Sequence, residues 1–140
     1  MSNSLRPFHL AFPVLDIEET VLWYTKNLFC TIGRRDVKWV DFNFFGHQIS
    51  AHLSNNISNN NSNTVDEHEV PIRHFGIILS TAQWNELANN LNKNKIKFII
   101  KPYTRFKGEV GEQSTMFIKD PSGNALEFKA FKNDKMIFEN

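Results

Sequence analysis

The chain has 140 residues, 41% of them hydrophobic and 13 of them Phe, enough for the core of one domain or of two small halves. A formal net charge of +1 leaves no electrostatic footprint for nucleic acid or for an acidic membrane surface. Cys30 is the single cysteine, which excludes an internal disulfide framework and a thiolate zinc cluster.

The start, M-S-N-S-L-R-P-F, lacks a basic segment followed by an apolar run, and no apolar stretch approaches membrane-spanning length. A cytoplasmic protein with no membrane and no nucleic-acid partner is the expectation. Residues 6–14 alternate as a strand, with Phe8, Leu10, Phe12 and Val14 on one side. Asp16 with Glu19 makes a capping-box-like helix start, and Val21, Leu22, Tyr24 and Leu28 give helical periodicity. Strand-like pieces follow at Thr31–Arg35, Val37–Phe45 and His47–Leu53, the last two separated by a turn at Gly46. Asn55 to Thr64 is polar and low in complexity and is expected to be a mobile linker, spanning residues 54–70 with the acidic residues that follow.

The order then repeats: a strand Arg73–Ser80, a helix about Ala82–Leu91, and strands near Lys97–Ile100, Thr115–Lys119 and Ala125–Ala130. The reading is α+β, a single domain over 1–140, with one βαβββ module at 6–53 and a second at 71–132. His9 and His74 open the two modules, and helix N-cap candidates Asp16 and Thr81 follow them at the same offset, as do Leu22 and Leu87. A histidine repeated in register suggests a site built around a pseudo-twofold axis. Trp23, Trp39 and Trp84 read as packing residues.

Strand alternation decides where the polar residues point. His9 lies opposite the Phe12 set, and His74 opposite Phe75, Ile77 and Leu79. His52 shares a face with Gln48 and Ser50, and Glu127 one with Ala125. Small neighbours, Ala11 and Gly76, are expected to leave open space beside the two histidines. Two imidazoles and a carboxylate match the facial triad of non-haem Fe(II), and also suit Mn(II), Ni(II) or Zn(II). Periodicity gives the facing alone. Asp120-Pro121-Ser122-Gly123-Asn124 reads as a structural turn that aims Glu127. Arg105 opens a glycine-punctuated loop, read as a solvated loop or, more sharply, as a gate or anionic-substrate clamp.

The segments F-H-L-A-F-P-V (8–14), W-Y-T-K-N-L-F-C (23–30), H-F-G-I-I-L (74–79) and D-P-S-G-N-A-L-E-F (120–128) resemble the vicinal-oxygen-chelate superfamily, which includes glyoxalase I, extradiol dioxygenases, fosfomycin-modifying thiol transferases and bleomycin-resistance proteins. With D-F-N-F-F-G-H-Q (41–48) and R-F-K-G-E-V-G-E-Q (105–113), the chain is most similar to small single-domain extradiol-type dioxygenases. The resemblance implies an eight-stranded, incompletely closed barrel, a homodimer, and a divalent metal, iron(II) first, on His9, His74 and Glu127, with His52 as fourth ligand or as acid/base. Tyr103 and Arg105 join His52 as candidate catalytic residues acting on a small-molecule substrate. Two departures matter. Ring-cleaving members carry a tyrosine where this chain has Phe117, and glyoxalase I proteins carry a carboxylate where it has His52. The alternatives are therefore an isomerase or lyase, a thiol transferase, or a binding protein of the bleomycin-resistance kind.

Overall fold

A computed structural model describes residues 4–57 and 61–140, which form two compact units, residues 1–57 and 58–140. The first runs β1 (His9–Val14), α1 (Ile17–Asn27), β2 (Thr31–Arg35), β3 (Trp39–Phe44) and β4 (His47–Leu53). Its sheet has the order β1-β4-β3-β2, with β1 and β4 parallel and the other pairs antiparallel. Asp16 caps α1 by accepting from the Glu19 N–H at 2.7 Å. Even-numbered β1 positions Phe12 and Val14, with Val40, Phe42, Ile49 and Ala51, form the buried face under α1. Tyr24 is fully buried there and stacks on Phe42, ring centroids 5.1 Å apart. Phe8, expected on the same face, is 63% exposed because β1 begins after it.

The second unit contains a hairpin, β5 (Ser62–Val65) and β6 (His68–Pro71), then β7 (His74–Leu79), α2 (Thr81–Lys93), β8 (Phe98–Arg105), β9 (Gln113–Lys119), β10 (Ala125–Phe131) and a short 3-10 turn, Asp134–Met136. Its sheet repeats the first, in the order β7-β10-β9-β8 with β7 and β10 parallel. Each unit is thus an open four-stranded sheet with one helix on one face.

The hairpin corrects the expected linker at 54–70, of which residues 58–60 lie outside the described residues. Asp66 and Glu67 both adopt positive φ (50° and 65°), so the tip is a tight turn whose twist matches paired strands. The Ser62 and Thr64 hydroxyls donate to the Glu69 carboxylate across the hairpin at 2.6 and 2.7 Å. Polar cross-strand bonds supply what the composition lacks in apolar surface.

Three smaller corrections concern the second helix and its neighbours. Ser80, rather than Thr81, is the N-cap, in a capping box with Gln83. Leu22 is 69% exposed although Leu87 is fully buried, so the two helices do not present matching leucines. Gly76 has no open space beside it: a Cβ built there would lie 1.5 Å from the carbonyl oxygen of Glu127. The glycine exists because β10 passes that close.

Trp84 seats α2 on the sheet, its indole N–H donating to the Phe128 carbonyl at 2.9 Å. Leu87 and Leu91 pack beneath, with Met116, Ile118, Leu126 and Phe128 also buried. The opposite face of this sheet carries the polar residues.

Candidate functional site

Alternation along β7 and β10 puts His74 and Glu127 on the face away from α2. Their register, His74 opposite Ala125 and Gly76 opposite Glu127, sets the carboxylate one step diagonally from the imidazole. His74 Nε2 lies 3.1 Å from Glu127 Oε1, and the Glu127 side chain is only 11% exposed. Each partner is held from behind. His74 Nδ1 is 2.7 Å from the Pro71 carbonyl oxygen, and Thr115 donates its hydroxyl to Glu127 Oε2 at 2.6 Å. A carbonyl oxygen can only accept, so Nδ1 carries a proton and Nε2 is left to face the carboxylate.

That arrangement fixes the electrostatics. In neutral His74 the Nε2 lone pair would confront a carboxylate oxygen at hydrogen-bond distance; a proton or a metal ion between them removes the conflict. The hydrogen bond to Glu127 holds the His74 pKa above its ordinary value, with burial opposing and the Pro71 carbonyl assisting. Burial pushes the Glu127 carboxyl up, but hydrogen bonds from His74 and Thr115 and the charge of Lys129 outweigh it, and the net displacement is downward. A nitrogen donor and a carboxylate, each oriented by an outer hydrogen bond, are the chemistry of a divalent-metal site. Among the described residues, no group of three or more His, Cys, Asp or Glu is placed to hold a metal ion.

Phe117, opposite Glu127 on β9, lies edge-on to His74 with centroids 5.0 Å apart. A residue here touches the histidine, and this one has no hydroxyl. Lys129, two positions past Glu127, brings its ammonium to 3.9 Å from Oε1. Tyr103 and Thr115 share a cross-strand row with it.

Tyr103 and Arg105 both lie on β8, which extends further than its sequence signal; Arg105 ends the strand rather than opening a loop. Both are tied to the hairpin tip. The Tyr103 hydroxyl donates to Asp66 Oδ2 at 3.1 Å, and the Arg105 guanidinium pairs with the same oxygen. The Arg105 hydrogen bond holds the Asp66 carboxyl below the usual range. His68 completes the cluster, its ring 5.0 Å from that of Tyr103. The hairpin tip is therefore pinned to β8.

In the first unit His9 is exposed at the start of β1, with Nδ1 2.7 Å from the Gln48 side-chain oxygen. His9 pairs with Gln48, whereas His52 pairs with Pro13, four residues further along the ladder. At about 3.3 Å per residue that is roughly 13 Å, too far for two imidazoles standing side by side to share an ion. The register thus sets His52 well apart from His9 along the sheet.

The chain matches the glyoxalase/bleomycin resistance protein/dioxygenase superfamily over residues 6–128. It belongs to that superfamily. A member from Alicyclobacillus acidocaldarius, described by the superfamily's name alone, is 33% identical, with 99% of this chain and 100% of that one covered and a TM-score of 0.83. FosX, the fosfomycin resistance protein of Listeria monocytogenes, shares the fold at 13% identity and a TM-score of 0.70 over 97% and 98% of the two chains. A mutant of it, 12% identical over 100% of both chains with a TM-score of 0.70, is complexed with Mn(II) and 1S,2S-dihydroxypropylphosphonic acid. An integron cassette protein from V. Cholerae shares the fold at 22% identity and a TM-score of 0.63, over 93% and 97%. No curated protein sequence matches the chain. Membership in the superfamily and a fold of two four-stranded modules agree with the motifs at 8–14, 23–30, 74–79 and 120–128. No helix is long and apolar enough to cross a membrane, among the described residues.

Thr115, Lys129 and Asp66 were not legible as site residues in the sequence. Thr115 sits two positions before Phe117 in an alternating strand, a signal that gives its face. Its bond to Glu127 follows from strand register, which alternation does not fix.

Proposed function

We propose that the protein is a metal-dependent enzyme, extradiol-dioxygenase-like, that binds a small substrate through two neighbouring oxygens. His74 and Glu127 form the metal-binding pair and His9 is the further ligand, with iron(II) preferred and Mn(II), Ni(II) or Zn(II) as alternatives. The observation that carries the reading is the Nε2-to-Oε1 approach of 3.1 Å, with both groups oriented from behind. When bound, the ion supplies Lewis acidity toward vicinal oxygens and, if it is iron, activates O₂.

The chain's own residues do the rest. Pro71 holds the His74 tautomer, Thr115 holds Glu127 to one rotamer, and buried Phe117 shields the pair from water on one side. Lys129 offsets the charge of Glu127. A divalent ion and a vicinal diol phosphonate in a fold relative, the FosX mutant, are in keeping with this chemistry. Phe117 favours a second reading, since a ring-cleaving site loses a hydrogen-bonding group there; an isomerase or thiol transferase does not need it. The homodimer and the incompletely closed eight-stranded barrel belong to the same proposal.

Replacing His74 by Ala should abolish binding of one divalent ion per chain without unfolding the domain. Native mass spectrometry after reconstitution reads the stoichiometry; full metal retention in that variant refutes the site.

A further inference from the structure

The two ladders allow the units to be compared residue by residue. His9 pairs with Gln48 on the last strand of its unit, and His74 pairs with Ala125 on the last strand of the other. Two positions further along, Ser50 occupies the place that Glu127 holds. The carboxylate missing there is found one strand away. Asp41 on β3 lies directly opposite Ser50, and the buried Ser50 hydroxyl donates to Asp41 Oδ1 at 2.5 Å.

The second unit uses the same device with the strands exchanged, the Thr115 hydroxyl on the third strand donating to Glu127 on the fourth. Each unit therefore holds one carboxylate on its histidine face, and a neighbouring hydroxyl fixes one of its oxygens. In Glu127 the second oxygen faces His74. In Asp41 the second oxygen, Oδ2, has no protein partner among the described residues.

Asp41 and His9 line one cavity of about 520 Å³, the size of a small-ligand site. Its other ionisable lining groups are Arg6, Arg34 and His47, so Asp41 is the one carboxylate among cations and imidazoles. β1 and β3 are two strands apart, which places Asp41 roughly 10 Å across the sheet from β1, the width of a bound ring rather than of a shared ion.

We propose that Asp41 is a catalytic residue of the N-terminal unit, accepting the proton of a substrate hydroxyl at Oδ2. The proposal rests on the vicinal-oxygen reading above and requires of its substrate an ionisable hydroxyl. In the step, the substrate O–H bond breaks, the proton passes to Asp41 and the electron pair stays on the substrate oxygen. Arg34 and Arg6 favour the anion that results.

The test uses zinc-loaded protein, which is redox-silent, and 4-nitrocatechol, whose visible spectrum reports its ionisation. Asp41→Asn should lower the pH midpoint of the bound probe by roughly one unit, with zinc content unchanged, because it removes both the acceptor of the probe's O–H and the negative charge that opposes its anion. Asp41→Glu should restore part of the shift. A titration of the Asn variant that superimposes on the parent refutes the assignment, and loss of zinc refutes it by making Asp41 a ligand. Should the Asn variant fail to fold, Ser50→Ala, which frees the carboxylate from its tether, must still move the midpoint; no movement refutes it. Failure of the zinc-loaded parent to bind the probe overturns the vicinal-oxygen reading itself and this assignment with it, an outcome distinct from the others.

Discussion

Gly76→Ala tests how tightly the site depends on the backbone of β7 and β10. The new Cβ would lie 1.5 Å from the Glu127 carbonyl oxygen and 2.6 Å from its carbon, and ordinary contact begins at 3.4 Å. The strands must therefore part by nearly 2 Å at that point, because both atoms are backbone rather than the movable end of a side chain. A ladder hydrogen bond stretched by that amount is broken. Losing two flanking bonds costs about 2 kcal/mol, and overpacking adds about 1–3 kcal/mol. For a domain of this size, each kcal/mol lowers Tm by about 3 °C, so a fall on the order of 10 °C is expected by differential scanning calorimetry. Gly33→Ala is the control: its Cβ would meet Asp41 at 3.5 Å, an ordinary contact, and φ there is not positive. Equal Tm values for the two variants would refute the reasoning. So would a destabilised Gly76→Ala protein that still bound metal like the parent, since parting the strands moves Glu127 away from His74.

Thr115→Val keeps the shape of the side chain but releases Glu127 Oε2; metal affinity, read by chelator competition, should fall by about 10–100-fold with little change in Tm. In the metal-free protein, the raised His74 pKa stabilises the fold fully below the ordinary value of 6.5 and ceases to as pH rises through the shifted value; the lowered Glu127 pKa stabilises it above 4.5 and ceases to as pH falls. Urea midpoints should accordingly peak between these limits, and His74→Ala should flatten that peak. Metal uptake should run the opposite way on the alkaline side, rising with pH as the ion replaces the His74 proton. Phe117→Tyr in iron-loaded protein should raise any catechol ring cleavage about fivefold, the rate equivalent of a net hydrogen bond of ~1 kcal/mol; unchanged O₂ uptake would favour the isomerase or thiol-transferase reading. Asp66→Ala should speed amide exchange through Ser62–Pro71 while leaving β7 and β10 protected, since it unpins the hairpin tip from Tyr103 and Arg105.

The histidine faces were legible from sequence because side-chain direction along a strand has a period of two, and burial enforces it. Leu10, Phe12 and Val14 against His9, and Leu126 and Phe128 against Glu127, needed no knowledge of partners. Register is another matter. It is set by which strands pair and how far they slide, and β1 with β4 is a parallel pairing of distant segments. For that reason alternation shows that Ser50 and His52 share a face but not that Ser50 is the one that mirrors Glu127. The β5–β6 hairpin escaped detection because its stability comes from Ser62, Thr64 and Glu69 bonding across strands, within a composition typical of loops. Gly76 read as open space because a missing side chain looks the same whether nothing or a backbone fills it. The spread of helix signals also blurred Ser80 and Thr81, adjacent residues that can both cap.

The indole of Trp84, hydrogen-bonded to the carbonyl next to Glu127, makes an optical consequence of what is otherwise a packing contact. Trp23 and Trp39 belong to the other unit, so a Trp23→Phe, Trp39→Phe protein would emit from this one fluorophore. Its emission depends on the polarity and rigidity of the backbone that it touches, and the Phe128 carbonyl lies one residue along β10 from the candidate ligand Glu127. Site loading in the second unit could then be followed by intrinsic fluorescence in stopped flow, without any chromophoric substrate.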